Sequence, residues 1–245
     1  MNKDNMVHGI VIQLPLPEKF NDHFYEIINT IDDKKDVDCL NIKNYSNMLF
    51  FDENRDKNIF LPEELKMRPK KLKQKRKKSL VTLKRKDNVI FPCCTLAINA
   101  LCYKYDIEIK NKNVLIIGNS YLVGYTSFFF FQKKHGKVTI CDKHTDNIKE
   151  LTLNADIIVS ATGQKDLITG DMIKEGCVIF DVGVSIDENN KIKGGDIHFD
   201  SCIDKVSLIT PVPGGIGPLT VSYMLYNVWN SFKTSHKVII DSESD

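Results

Sequence analysis

The sequence predicts an α/β protein organised around a doubly wound parallel sheet. Three observations predict it. Apolar runs of strand length recur at residues 112–117, 137–141, 155–160 and 177–181, each bounded by polar or turn residues. Between the first two lies a stretch with helical spacing, residues 120–135, so strand and helix alternate as a parallel sheet requires. The first run closes on a glycine turn, Gly118-Asn119-Ser120-Tyr121-Leu122-Val123-Gly124, that opens this helix. Such a turn sets free backbone N–H groups and the positive helix end against a phosphate, so the middle of the chain reads as a nucleotide-binding domain.

In chain order, residues 7–14 form a short apolar run closed by Pro15 and Pro17 and read as a buried strand. Residues 19–31 place Phe20, Phe24, Ile27, Ile28 and Ile31 at helical spacing. Residues 41–90 are polar, rich in Asn and Lys, and mostly irregular. A helix is expected over residues 95–105 from Leu96, Ile98, Leu101 and Cys102. The apolar cluster Phe128 to Phe131 belongs to the helix after the glycine turn. A last helix is expected at residues 219–232, and the acidic tail 241–245 is expected to fray. The domains follow: residues 1–104 in one lobe with a basic insertion at about 50–90, residues 105–212 in the nucleotide-binding domain, a loop and helix at 213–235 returning to the first lobe, and a tail at 236–245.

Composition narrows the class. No run of about 18 apolar residues occurs, so no membrane helix is expected. Met1 is followed by charged residues, which does not resemble a secretory signal. The seven cysteines include no Cys-x-x-Cys pair, so reduced thiols and no metal site are expected. A cytoplasmic location is expected, with a mitochondrial one left open. The net charge of +2 hides a basic block at residues 66–86, which holds no acid and leaves the remainder at roughly −10. This block reads as a solvated insertion that self-repels. The alternative is an arm for RNA or an acidic partner, although it lacks interleaved aromatics for stacking bases.

Two further segments carry chemistry. Thr210-Pro211-Val212-Pro213-Gly214-Gly215-Ile216-Gly217-Pro218-Leu219-Thr220 combines three prolines and three glycines, fixing the backbone while leaving it bare to a ligand. His8-Gly9-Ile10-Val11-Ile12-Gln13-Leu14-Pro15-Leu16-Pro17 is the second. With the glycine turn, and with Lys35-Asp36-Val37-Asp38, Asp181-Val182-Gly183 and Gly195-Asp196-Ile197, they form an ordered set. This set resembles the bifunctional methylenetetrahydrofolate dehydrogenase / methenyltetrahydrofolate cyclohydrolase family from residue 8 to about 230.

The resemblance implies an enzyme of one-carbon metabolism that oxidises methylenetetrahydrofolate to methenyltetrahydrofolate with NAD(P), followed by hydrolysis to formyltetrahydrofolate. It implies a cleft between the nucleotide-binding domain and a catalytic lobe, and a homodimer. Asp38 would grip the pterin edge, and Gln13 would stand near the reactive carbon. Ile12, Leu14, Pro213, Gly214, Gly215, Ile216 and Gly217 would contact the folate. Gly118, Asn119, Ser120 and Lys143 would serve the phosphates and ribose, Ala161, Thr162, Gly163 and Val184 would touch the nicotinamide half, and Thr220 would also hold the cofactor. NADP is the expected cofactor, with NAD open: the family's arginine is Asn119 here, Lys143 could replace its charge, and Asp142 could take a ribose hydroxyl.

Three departures stand out. No Tyr-x-x-x-Lys occurs in the chain, yet in the family its lysine is the main cation of the cyclohydrolase step. The catalytic lobe is therefore expected to be incomplete and that step is in doubt. Lys34 or Lys35 is one conceivable substitute, and solvent exposure is the plainer reading of both. The glycine expected after Asp38 is Cys39, and a Pro-Cys-Thr-Pro motif has become Pro92-Cys93-Cys94-Thr95. A non-catalytic protein that binds nucleotide, or RNA or an acidic partner through the Lys-rich block, is the alternative.

Overall fold

The computed structural model describes residues 1–50, 89–189 and 191–236. The basic block at 66–86 and the acidic tail at 241–245 lie outside the described residues. Strands β1 (Asn113–Ile117), β2 (Lys137–Cys141), β3 (Ile157–Ser160), β4 (Val178–Asp181) and β7 (Leu208–Ile209) form one sheet in the order β2-β1-β3-β4-β7. Every pairing in it is parallel. A two-stranded antiparallel ribbon, β5 (Ser185–Ile186) with β6 (Ile192–Gly194), projects after β4.

The central strands β1, β3 and β4 are buried on both faces, which is why they read as apolar runs, while the edge strand β2 exposes Lys137 and Thr139. Alternate residues feed two cores. Val114, Ile116, Ile157, Val159 and Phe180 face α3 (Cys93–Lys104), α4 (Gly124–Lys133) and α7 (Ile216–His236). Leu115, Ile117, Ile158 and Ile179 face the other way, onto Ala155, Ile168, Ile173 and Cys202. Two short helices, α5 (Ile148–Asn154) and α6 (Phe199–Cys202), lie on that side of the sequence pattern. None of the described helices is long and apolar enough to cross a membrane.

The N-terminal region departs from expectation. Residues 7–14 form no strand: only an isolated parallel bridge joins Ile10 to Asp36. None of its residues is fully buried, with Val11 and Gln13 exposed, and a run with one bridging neighbour cannot build a ladder. The helix expected at 19–31 is split into a 3-10 turn at Glu18–His23 followed by α1 (Phe24–Asn29). Its first half buries nothing, so no packing enforces α-helical geometry there. The region expected to be irregular contains α2 (Ile42–Leu49), capped by Asn41, whose side chain accepts from the Lys43 N–H at 2.8 Å.

One helix closes the structure. α7 packs along α3 and carries Asn227, whose amide donates to the Val37 carbonyl at 2.8 Å and the Phe91 carbonyl at 3.0 Å. Ser231 on the same helix donates to the Lys34 carbonyl, and Phe232 meets His8 edge to face. The last helix therefore staples the N-terminal segment to the start of α3.

Between those anchors, Asp36 organises a tight loop. Its carboxylate is fully buried and accepts the N–H groups of Asp38, Leu40 and Asn41 at 3.3, 3.0 and 2.9 Å, with the Asn44 amide at 2.9 Å. The loop turns through Cys39 at φ 60°, a left-handed conformation that costs a residue with a Cβ about 1 kcal/mol. The glycine expected there would be unstrained. Removing the Asp36 carboxylate orphans four donors. Asp36→Ala is predicted to lower unfolding free energy by at least about 3 kcal/mol, read from urea denaturation at neutral pH.

Candidate functional site

Every loop that follows a strand of the parallel sheet leaves from one edge, and β1 sits where the strand order reverses between β2 and β3. A crevice opens at such a switch point. At its base the glycine turn brings α4 against β1. A Cβ on Gly124 would lie 2.2 Å from the Gly118 carbonyl oxygen, so only glycine allows this approach. The N–H groups of Asn119, Ser120, Tyr121 and Leu122 make no backbone hydrogen bond among the described residues. They lie where the positive end of α4 begins, an arrangement suited to a phosphate. The Ser120 hydroxyl oxygen accepts the Gly124 N–H at 3.3 Å and fixes the turn.

Asn119 does not stand free. Its amide donates to the Asp142 carboxylate at 3.0 Å, and the other Asp142 oxygen accepts the His144 N–H at 2.9 Å. The acid beyond β2 is thus held at the crevice rim, with Lys143 exposed beside it.

A cleft of about 670 Å³ lies beside this crevice. Asp38, Cys93, Cys94, Val182, Val184, the loop at 211–215 and the first turn of α7 line it. The lining is mainly apolar with few polar groups, the character of a small-molecule site. Asp38 is 8% exposed and accepts the Cys93 N–H at 3.2 Å. Burial raises its pKa, and the hydrogen bonds from Cys93 only partly oppose this. Cys94 is pushed up to about 12 by burial, so this thiol stays protonated and unreactive at neutral pH.

The structure brings together Asp38, Pro213, Gly214, Gly215, Ile216, Gly217, Val184 and Thr220 around the cleft. Gly118, Asn119 and Ser120 follow β1, Lys143 follows β2, and Ala161, Thr162 and Gly163 follow β3, all on the same sheet edge. Ile12, Gln13 and Leu14 are not among the cleft's lining residues. Gln13 is exposed and its amide turns to the Leu14 carbonyl at 3.0 Å. Neither candidate lysine reaches the cleft: Lys34 is exposed, and Lys35 donates to the carbonyls of Met1 and Asp4 at 3.0 and 2.6 Å.

Residues without an assigned role also shape the site. Leu122, Val123 and Met224 add apolar surface. Two buried carboxylates, Asp181 and Asp196, brace the loops. Asp181 accepts the N–H groups of Gly183, Asp196 and Ile197 at 3.1, 3.1 and 3.0 Å. Its own N–H donates to the Thr210 hydroxyl at 2.8 Å, at the root of the Pro/Gly loop. Asp196 accepts the Ser160 hydroxyl and the Thr162 N–H, each at 2.7 Å. An acid directly after an apolar strand, as in Val178-Ile179-Phe180-Asp181, was the available signal.

Comparison with known proteins agrees with this layout. The family described as tetrahydrofolate dehydrogenase/cyclohydrolase, NAD(P)-binding domain, matches residues 92–236. The bifunctional protein FolD of Methanosarcina barkeri is 34% identical over 238 residues, covering 96% of this chain and 69% of the relative. That of Fusobacterium nucleatum is 36% identical over 242 residues, covering 98% and 71%. Among solved structures, FolD methylenetetrahydrofolate dehydrogenase/cyclohydrolase from Campylobacter jejuni superposes with TM-score 0.73 at 31% identity, covering 95% of this chain and 70% of that one. The Trypanosoma brucei enzyme, complexed with NADP cofactor and inhibitor, gives 0.76 at 29%, covering 97% and 70%.

The buried brace carries a pH signature. Burial raises the Asp181 pKa from 3.8 to about 6, against the pull of its three backbone N–H donors. The folded state therefore holds this proton more tightly than the unfolded chain. Its contribution to stability is full below about pH 4 and is lost as pH rises through about 6. Asp181→Asn is predicted to remove that slope, measured as urea midpoints across this range.

Proposed function

The chain belongs to the tetrahydrofolate dehydrogenase/cyclohydrolase family, and from that membership we propose that it oxidises methylenetetrahydrofolate to methenyltetrahydrofolate with NADP. The observation that carries this reading is the cleft itself. Asp38 and residues 213–217, far apart in sequence, line this one cleft.

The residues present fit the nucleotide. The glycine turn offers N–H donors without backbone partners at the start of α4, and glycine at 124 permits the close approach of α4 to the end of β1. When bound, NADP supplies the hydride acceptor. The protein's task is then to hold two flat rings at close range and keep water out. The Asp38 carboxylate offers two acceptor oxygens to the adjacent N–H donors of a pterin edge. Its tie to the Cys93 N–H fixes its direction. The bare backbone at residues 213–217 lets a ring system lie against it, while Val182 and Val184 add dry apolar surface to the same cleft.

The second step is supported less well. Water attack on the methenyl carbon calls for a cation and an oriented water. Among the described residues no lysine lines the cleft, and no Tyr-x-x-x-Lys occurs in the chain. The cleft therefore holds no lysine cation for the cyclohydrolase step among the described residues. A homodimer belongs to the same proposal, supported by Ile186 and Ile192 on the β5–β6 ribbon, 56% and 50% exposed. The non-catalytic alternative is not favoured, since the FolD relatives match along nearly the whole chain.

Two measurements test this. Methylenetetrahydrofolate-dependent formation of NADPH, followed by absorbance, should be detectable with the purified chain and fall by about 100-fold in kcat/KM in Asp38→Ala, mostly through KM. No NADPH formation above a protein-free control would defeat the dehydrogenase reading. Hydrolysis of methenyltetrahydrofolate by the same preparation should stay within about tenfold of the spontaneous rate; a larger acceleration would show that another residue supplies the missing cation.

A further inference from the structure

Asp181 and Asp196 have no part in the scheme above, yet both are buried where it takes place. Asp196 is wholly inaccessible and Asp181 is 3% exposed. Among the described residues neither makes an ion pair. Lys165, Lys193 and His198 share with Asp166 and Asp200 a second cavity of about 390 Å³ that Asp181 also lines, and Lys165 is paired with Asp166 at 3.3 Å. Five N–H or O–H groups neutralise the carboxylates in part. One oxygen is left over: Oδ1 of Asp196 is buried with no hydrogen-bond partner. It lies against Gly183, where a Cβ would come within 1.9 Å of it.

Burying negative charge without a cation is costly. A chain that only needed its loops tied together could use amides or hydroxyls for the same hydrogen bonds. The placement of this charge is specific. Asp196 holds the Thr162 N–H directly, and Asp181 holds the Gly183 N–H between the cleft residues Val182 and Val184. The loops at 161–163 and 182–184 are those read above as flanking the nicotinamide half of the cofactor. An oxidised nicotinamide ring carries a positive charge and a reduced one is neutral. A fixed negative charge in a dry wall therefore discriminates between the two forms.

We propose that Asp181 and Asp196 are positioning residues that form an anionic brace behind the nicotinamide loops, and that this brace makes the site bind NADP⁺ in preference to NADPH. The proposal rests on the cofactor reading of the preceding subsection. Such a preference favours loading of the oxidised cofactor and release of the reduced one, without changing the overall equilibrium of the reaction. The hydride acceptor is held in its cationic form until hydride arrives, and the neutral product is held less tightly.

The test is equilibrium binding of NADP⁺ and NADPH, each alone, to the purified chain, with adenosine 2′,5′-bisphosphate as a ligand that lacks the ring. Asp196→Asn is the sharper variant. Its oxygen can still accept from Ser160 and Thr162, while its amide replaces the unpartnered Oδ1. In Asp181→Asn an amide would face an N–H donor. The wild type should bind NADP⁺ more tightly than NADPH. Asp196→Asn should weaken NADP⁺ by about 5- to 10-fold and leave NADPH and the bisphosphate within about twofold. Equal weakening of both dinucleotides, or no change in either, overturns the proposal. If the variants do not fold, the wild type decides alone, because equal or tighter binding of NADPH contradicts the brace. A wild-type chain that binds neither dinucleotide overturns the cofactor reading and the proposal with it, whereas equal binding of both overturns only the proposal.

Discussion

A single side-chain amide ties together three segments of the first lobe that are far apart in sequence. Asn227 reaches from α7 to the carbonyls of Val37 and Phe91, is 2% exposed, and so satisfies three segments at once in a place water does not reach. A buried amide satisfied in this way discriminates strongly against other arrangements, since any shift orphans two carbonyls. Asp38 follows Val37, and the Pro/Gly loop leads directly into the helix that carries Asn227. The helix that follows the Pro/Gly loop is thereby tied to the segment that carries Asp38, and it packs along α3 and the core beneath the sheet as well.

The central strands were legible in the sequence because burial on both faces makes each a continuous apolar word. β1 to β4 match the expected runs to within a few residues. β7, β5 and β6 were not legible, as segments of two or three residues leave no period to detect. The run at 7–14 was misread for the converse reason. It has the apolar composition of a strand, but strand identity depends on neighbours, and it has one bridge. α2 was hidden by polarity: its buried residues are Asn44, Tyr45 and Met48, and Asn44 is buried because it binds Asp36.

The site was legible where backbone chemistry dictates residue type and illegible where a common side chain is placed by tertiary contacts. Glycine at 124 and the Pro/Gly run announce themselves, since nothing else adopts those geometries. Asp36 and Asp38, in contrast, sit among Asp32 and Asp33 in a stretch with no periodicity. Only the ordered family motif separates the buried pair from the others. The Cys39 departure shows the limit of that guide. The motif expects glycine, the backbone keeps the glycine conformation, and the side chain is accommodated in a fully buried position.

The chain has one tryptophan, Trp229, two residues after Asn227 on α7. Its indole stacks on Phe232 at 5.5 Å beneath the Lys233 ammonium. It remains 44% exposed. Intrinsic emission from this protein is therefore a one-channel optical signal from the far end of the helix that begins at the Pro/Gly loop. Any tilt or fraying of that helix would appear as a change in colour or intensity with no background from a second indole.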